Sequence, residues 1–147
     1  MPESPVQRFV PMLVYKDCPA AIEFLCRAFG FTELSRLAMP DGRIGHAELE
    51  FKGQMLTLSS EFEEMGLVSP QSLSALHCQI NCRVDDVDAH FETARSAGAT
   101  IVEAVADQFH GDRNYRAVDL EGTRWIFSKK MREVSREEIE AAVAEMK

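Results

Sequence analysis

The feature that most constrains this chain is an internal repeat. Shifted by 69 residues, the run from Asp41 to Gly53 falls over the run from His110 to Gly122. The match continues with Gly53–Ser59 over Gly122–Ser128. Both copies show a glycine, a strand pattern, a charged turn ending in glycine, and a second strand pattern ending in serine. Upstream, the helix ending at Gly30 matches the helix ending at Gly98, with the offset slipping to 68. A repeat of this period makes each copy one supersecondary unit that needs its neighbour to bury a full core.

Each copy reads as βαβββ. In the first, residues 8–16 alternate toward a strand, Asp17 caps a helix and Pro19 suits its first turn. Ile22, Leu25, Cys26 and Phe29 make one apolar stripe, and Gly30 stops the helix. Strands are expected near 32–38, 43–51 and 54–60. In the second copy a strand is expected over 77–84. A helix capped by Asp85 or Asp86 and carrying Val87, Phe91 and Ala94 follows, with strands near 100–105, 113–120 and 123–129. The expected organisation is one domain over 1–147: a first module at 5–60, a hinge-like linker at 61–75, a second module at 76–130 and a helix at 135–146. That last helix opens with the capping box Ser135-Arg136-Glu137-Glu138. Its stripe of Ile139, Ala142, Val143 and Met146 is expected to pack on its own domain. The fold class is α+β, two tandem βαβββ modules forming a half-open barrel cup plus a C-terminal helix.

Composition narrows the function. The 147 residues are 46% hydrophobic, enough for one real core. With 16 Lys+Arg against 24 Asp+Glu, the formal net charge is -8, which disfavours a nucleic-acid partner. No segment approaches the ~20 apolar residues that span a bilayer, and MPESPVQRFVP has no signal-peptide pattern, so a cytoplasmic location is expected. Of four cysteines, Cys78 and Cys82 would sit about 13 Å apart along a strand. Cys18 and Cys26 would sit about 12 Å apart along a helix. Neither pair can bridge, and reduced, mostly buried thiols are expected.

Strand alternation sorts residues onto two faces. Ala47, Leu49, Phe51, Leu56, Leu58, Trp125 and Phe127 belong under the helices. Ile44, His46, Glu48, Glu50, Met55, Thr57, Arg124, Ile126 and Ser128 face the other way. In 77–84 the second face is wholly polar: His77, Gln79, Asn81 and Arg83. The same face of the first strand carries Val10 and Met12, so the surface as a whole is mixed apolar and polar, as in a ligand pocket. The expected cavity therefore comprises Met12, His46, Glu48, Met55, Thr57, His77, Gln79, Asn81, Arg113, Tyr115 and Ile126.

Several segments in this order resemble a known family: Ala21-Ile22-Glu23-Phe24 with Arg27-Ala28-Phe29-Gly30, then Gly45-His46-Ala47-Glu48-Leu49, then Asp107-Gln108-Phe109 with Gly111-Asp112-Arg113, then Asp119 with Gly122 and Trp125. The chain resembles the vicinal oxygen chelate superfamily of glyoxalases, bleomycin-resistance proteins and extradiol dioxygenases. More narrowly it resembles the branch named after a phosphonate-operon protein. The resemblance implies that each unit is a half-barrel, that two halves make a cup and that two chains pair as a homodimer. It also implies a metal held from four strand positions, which map to Val10, Thr57, Gln79 and Ile126. Two are apolar and two are poor ligands, so no metal and no cofactor are expected. A displaced site from His46, Glu48 and His77 is the weaker alternative. His46 and Glu48 lie ~6.6 Å apart along one strand face and are expected to bond each other or a ligand. His90 and His110 are expected to be packing or surface residues.

Two functions remain. One is a metal-free cup that binds a small organic molecule, cationic or aromatic. The other is an enzyme of lyase, isomerase or dioxygenase type, using a displaced metal or acid–base chemistry by His46, Glu48 and Tyr115. The sequence assigns no catalytic residue. A purely structural cup is disfavoured by the polar face from His77 to Arg83, costly to bury unpaired.

Overall fold

The structure is a computed structural model, and it describes residues 6–146. Pro5, the expected start of the first module, lies outside the described residues. Among the described residues, two four-stranded sheets and three α-helices form the framework, and neither sheet closes into a barrel. Two compact units follow. One runs to Leu76 and includes Leu120–Gly122; the other takes His77–Asp119 and continues from Thr123.

The first unit contains β1 (Met12–Tyr15), α1 (Cys18–Phe29), β2 (Thr32–Ala38), β3 (Ile44–Phe51) and β4 (Gln54–Ser60). The second contains β5 (Ile80–Arg83), α2 (Val87–Ser96), β6 (Thr100–Asp107), β7 (Asp112–Val118) and β8 (Arg124–Lys130), followed by α3 (Arg136–Ala144). The sheet orders are β1-β4-β3-β2 and β5-β8-β7-β6, so each unit pairs its first strand parallel to its last.

Caps and stops fall where short polar residues and glycines put them. Asp17 accepts from Ala20 N–H at 3.1 Å, and Asp86 accepts from Ala89 N–H at 3.0 Å. Gly30 ends α1 at φ 84°, a conformation open to glycine at little cost. Ser135 accepts from Glu138 N–H at 3.1 Å at the start of α3.

Three expectations change. The first strand is shorter than 8–16, because Pro11 has no N–H for the ladder. Its carbonyl still accepts from Thr57 N–H at 3.0 Å. The strand expected over 77–84 begins only at Ile80, which pairs with Trp125. Upstream of β8 lies a turn, so residues 77–79 have no strand to join, and Cys78 is exposed rather than buried. Helix α3 contains no buried residue, so its apolar stripe is not packed into a core.

The hairpin turns decide which side chains face α1 and α2. Phe51 pairs with Gln54 across two turn residues, Lys52 (φ 51°) and Gly53 (φ 81°). Two consecutive positive-φ residues make the turn that matches strand twist. In the second unit Val118 pairs with Arg124, and Asp119 N–H bonds Thr123 C=O, enclosing three residues. The second turn is one residue longer, so everything upstream of it in β7 changes face relative to β3.

Glu121 sits in that longer turn and is almost fully buried. Within the first unit its carboxylate accepts from the backbone N–H groups of Lys16 (2.6 Å) and Asp17 (2.8 Å) and from Ser69 Oγ. These are charge-assisted bonds, part-buried at the two backbone donors and fully buried at Ser69. Glu121→Ala is expected to lower stability by about 1–3 kcal/mol, because it leaves the buried Ser69 hydroxyl and two part-buried N–H groups without their acceptor. Urea unfolding measures it, and a loss within error of zero would show that the carboxylate is not needed there.

Candidate functional site

The face of the first sheet turned away from α1 is built from β1, β4 and β3. Met12 pairs with Thr57 and Val14 with Ser59, and Thr57 pairs in turn with Glu48. On the other face Tyr15, Ala47, Leu49, Leu56 and Leu58 are buried with α1's Ile22, Leu25 and Phe29.

Over the free face lies a cavity of about 420 Å³, lined by Met12, Leu13, Val14, Leu37, Met39, Gly45, His46, Thr57, Leu58, Ser59, Phe62, Met65 and Leu67. Its volume is within the range of small-ligand pockets, and its lining is apolar with a few polar groups, as such pockets are. Part of the wall comes from the segment expected as a bare hinge. Phe62 and Leu67 exchange backbone hydrogen bonds at 2.9 and 3.1 Å around a 3-10 turn at Glu63–Met65, with Gly66 at φ 75°. The Arg43 guanidinium stacks 4.1 Å from the Phe62 ring centroid and also binds Asp41 and Glu64. The cation–π contact favours this placement of the ring in the wall.

Of the expected cavity residues, Met12, His46 and Thr57 line this space. Thr57 Oγ donates to Pro11 C=O at 3.1 Å, so its proton is committed. His46 Nε2 lies 3.4 Å from Glu48 Oε1, and the pair is partly open, with side-chain exposures of 44% and 32%. Glu48 and Met55 share the sheet face but do not line the cavity. Met55 instead bonds Gln7 through both its backbone groups.

The remaining expected residues belong to the second unit. Asn81 and Ile126 pair side by side on the face turned away from α2, and Asn81 Oδ1 accepts from Ser128 Oγ at 2.7 Å. His77 and Gln79 are exposed and outside β5. Tyr115 and Arg113 are corrections. Tyr115 pairs with Phe127, is fully buried, and packs against Phe91 of α2. Its hydroxyl shares a 2.5 Å hydrogen bond with His90 Nδ1, and burial pushes the phenol further up from its ordinary value. Arg113 is held by Asp88 of α2 and by Asp107. Both side chains lie on the helix-covered face, because the longer β7–β8 turn reverses β7.

The residues that sequence reasoning missed are of two kinds. Leu37, Met39, Phe62, Met65 and Leu67 line the cavity, and the signal for the last three was a run of large apolar residues in an aperiodic linker. Asn114 and Arg116 occupy the β7 face that Arg113 and Tyr115 were expected to hold.

Strand register shifts two of the four mapped metal positions. The residues level with Thr57 and Ile126 are Met12 and Asn81 rather than Val10 and Gln79. A thioether, a committed hydroxyl, an amide and an alkyl group do not fit a hard divalent metal. Among the described residues no group of three or more His, Cys, Asp or Glu side chains could hold a metal ion. A wider recess of about 630 Å³ in the first unit is lined by Asp17, Asp41, Arg43, Glu61, Glu63 and Glu64, among others. Its arginine is already paired with Asp41 and Glu64, and the rest of the lining, Lys16 included, is mostly charged or polar and offers little apolar surface to a ligand.

A family model matches residues 8–127: the glyoxalase/bleomycin resistance protein/dioxygenase superfamily. The chain belongs to that superfamily. An uncharacterized protein of Mycobacterium bovis is 39% identical over 137 residues, covering 91% of this chain and 90% of its own length. The crystal structure of TioX from Micromonospora sp. ML1 is 33% identical, with a TM-score of 0.68 over 86% of this chain and 100% of that one. A family enzyme from Burkholderia phytofirmans has the same TM-score at 20% identity, over 83% of this chain and 97% of its own, a likeness of fold. No helix among the described residues is long and apolar enough to cross a membrane.

Cys18 is fully buried, and burial pushes its thiol up to about 12. It is therefore a packing residue, not a nucleophile. Tyr115→Phe is expected to cost about 1 kcal/mol, the hydrogen bond to His90, in a denaturation curve. It should leave binding at the first unit's cavity unchanged; a parallel loss of binding would return Tyr115 to the site.

Proposed function

We propose that this superfamily member binds a small organic molecule, aromatic and neutral or cationic, in the cavity of the first unit, without the family's metal. The observation that carries the reading is the lining. Three methionines, Phe62, Leu37 and Leu67 are among the side chains that supply adaptable apolar contact, while His46 and Ser59 are the polar groups that orient a ligand. The partly exposed Glu48 carboxylate near His46 favours a cation at that side. The mapped metal positions support a metal-free site through their chemistry. A homodimer belongs to the same proposal and rests on family likeness.

A second reading has one observation in its favour. His46 and Glu48 form the base-and-orienter pair of general acid–base catalysis, at the edge of an apolar space. In that reading His46 moves the proton and Glu48 holds its imidazole. His46→Ala would then abolish turnover on a bound substrate, whereas a pure binder would lose only part of its affinity.

A thermal-shift screen with neutral and cationic aromatic probes, including indole and benzyltrimethylammonium, tests the binding reading, since a native-state ligand raises the unfolding temperature by mass action. A shift is expected for some of them, and Met39→Lys should weaken it for cationic and neutral probes alike, by placing a positive charge at a lining residue that is only 37% exposed. No shift across both panels, or one undiminished in Met39→Lys, would contradict the proposal.

A further inference from the structure

The second unit carries two guanidinium groups on the sheet face turned away from α2. Strand register sets their positions. Arg116 pairs with Ile126, and Ile126 pairs with Asn81, so Asn81, Ile126 and Arg116 form one row across β5, β8 and β7. Arg124 lies two residues before Ile126 on the same strand, hence on the same face and diagonal to Arg116. Diagonal neighbours on a sheet lie about 7–8 Å apart, within joint reach of one small ligand.

Most of the other arginines near a site are occupied. Arg43 binds Asp41 and Glu64, Arg83 binds Asp112 and Ser128, and Arg113 binds Asp88 and Asp107. Arg116 differs. Its Nε is buried and has no hydrogen-bond partner. Its one ion-pair partner, Glu103, stands at 3.6 Å, too far for a hydrogen bond, with a side chain 57% exposed. Arg124 makes no ion pair with any described residue. Two like charges on one face repel, and a buried N–H without an acceptor costs free energy. Both penalties are relieved by one oxyanion, and Arg116 gives up no hydrogen bond in turning toward it.

We infer that Arg116 and Arg124 form a binding site for the carboxylate of a small organic acid, with Asn81 beside them as a neutral donor. A planar carboxylate matches the guanidinium fork, which binds it through two parallel N–H donors. Glu103 acts as the competing internal carboxylate. This site is separate from the reading of the first unit's cavity and needs only second-unit residues.

Benzoate is the probe. In ¹⁵N NMR of the intact chain, titration with benzoate is expected to shift the Arg116 Nε–Hε resonance saturably. Arg116→Gln should weaken the affinity about tenfold or more, as loss of a charge-assisted pair does. Glu103→Gln changes an exposed side chain and should tighten binding by freeing Arg116. It also keeps the test open should the Arg116 variant fail to fold. An unmoved Nε–Hε signal, a linear non-saturating drift, or affinity unchanged in both variants would overturn the inference.

Discussion

Met12 lies beside Thr57, and Asn81 beside Ile126, because each unit pairs its first strand parallel to its last. All other placements follow from that pairing. The crossover between parallel strands must pass over one sheet face, and here the helix covers it. The central residues of that face then belong to a core: Tyr15, Ala47 and Leu58 under α1, and Tyr115, Ala117 and Phe127 under α2. Only the opposite face is left for chemistry. In the first unit it carries Met12, Val14, Thr57 and Ser59 beside His46 and Glu48; in the second it carries arginine and asparagine around Ile126.

The two units therefore share an architecture and differ in what they offer. The Phe62–Leu67 turn turns the first sheet's free face into a walled cavity, with Arg43 stacked on its aromatic ring. Apolar walls with few committed polar groups gain from desolvating a ligand, and thioether side chains adapt to its shape. The family's metal chemistry would need hard donors at the paired strand positions. The residues found there are Met12, Thr57, Asn81 and Ile126.

Much of this was legible in the sequence. The repeat, the caps at Asp17 and Asp86, the stop at Gly30 and the sorting of Ala47, Leu49, Leu56, Leu58, Trp125 and Phe127 under the helices follow from local rules. What was not legible turns on one residue. Thr57 and Ile126 are equivalent at an offset of 69, but their partners Glu48 and Arg116 are equivalent at 68. A single offset carries His46 onto Tyr115 and so assigns Tyr115 to the wrong face. The extra residue lies in the turn holding Glu121, and a one-residue slip reverses a strand. The cavity wall escaped for a different reason. Phe62, Met65 and Leu67 lie in two short turns with no periodicity, so their meeting is a tertiary fact.

If the first unit's methionine-lined cavity is the binding site, a ligand there must touch its methionines. Methionine ε-methyl NMR tests it directly, because Met12, Met39 and Met65 line the cavity while Met55, Met131 and Met146 do not. With an aromatic ligand that stabilises the protein, the three cavity methyls should shift together and saturate at one Kd, and the other three should stay in place. Saturable shifts confined to Met55, Met131 or Met146, with the cavity methyls unmoved, would contradict the account.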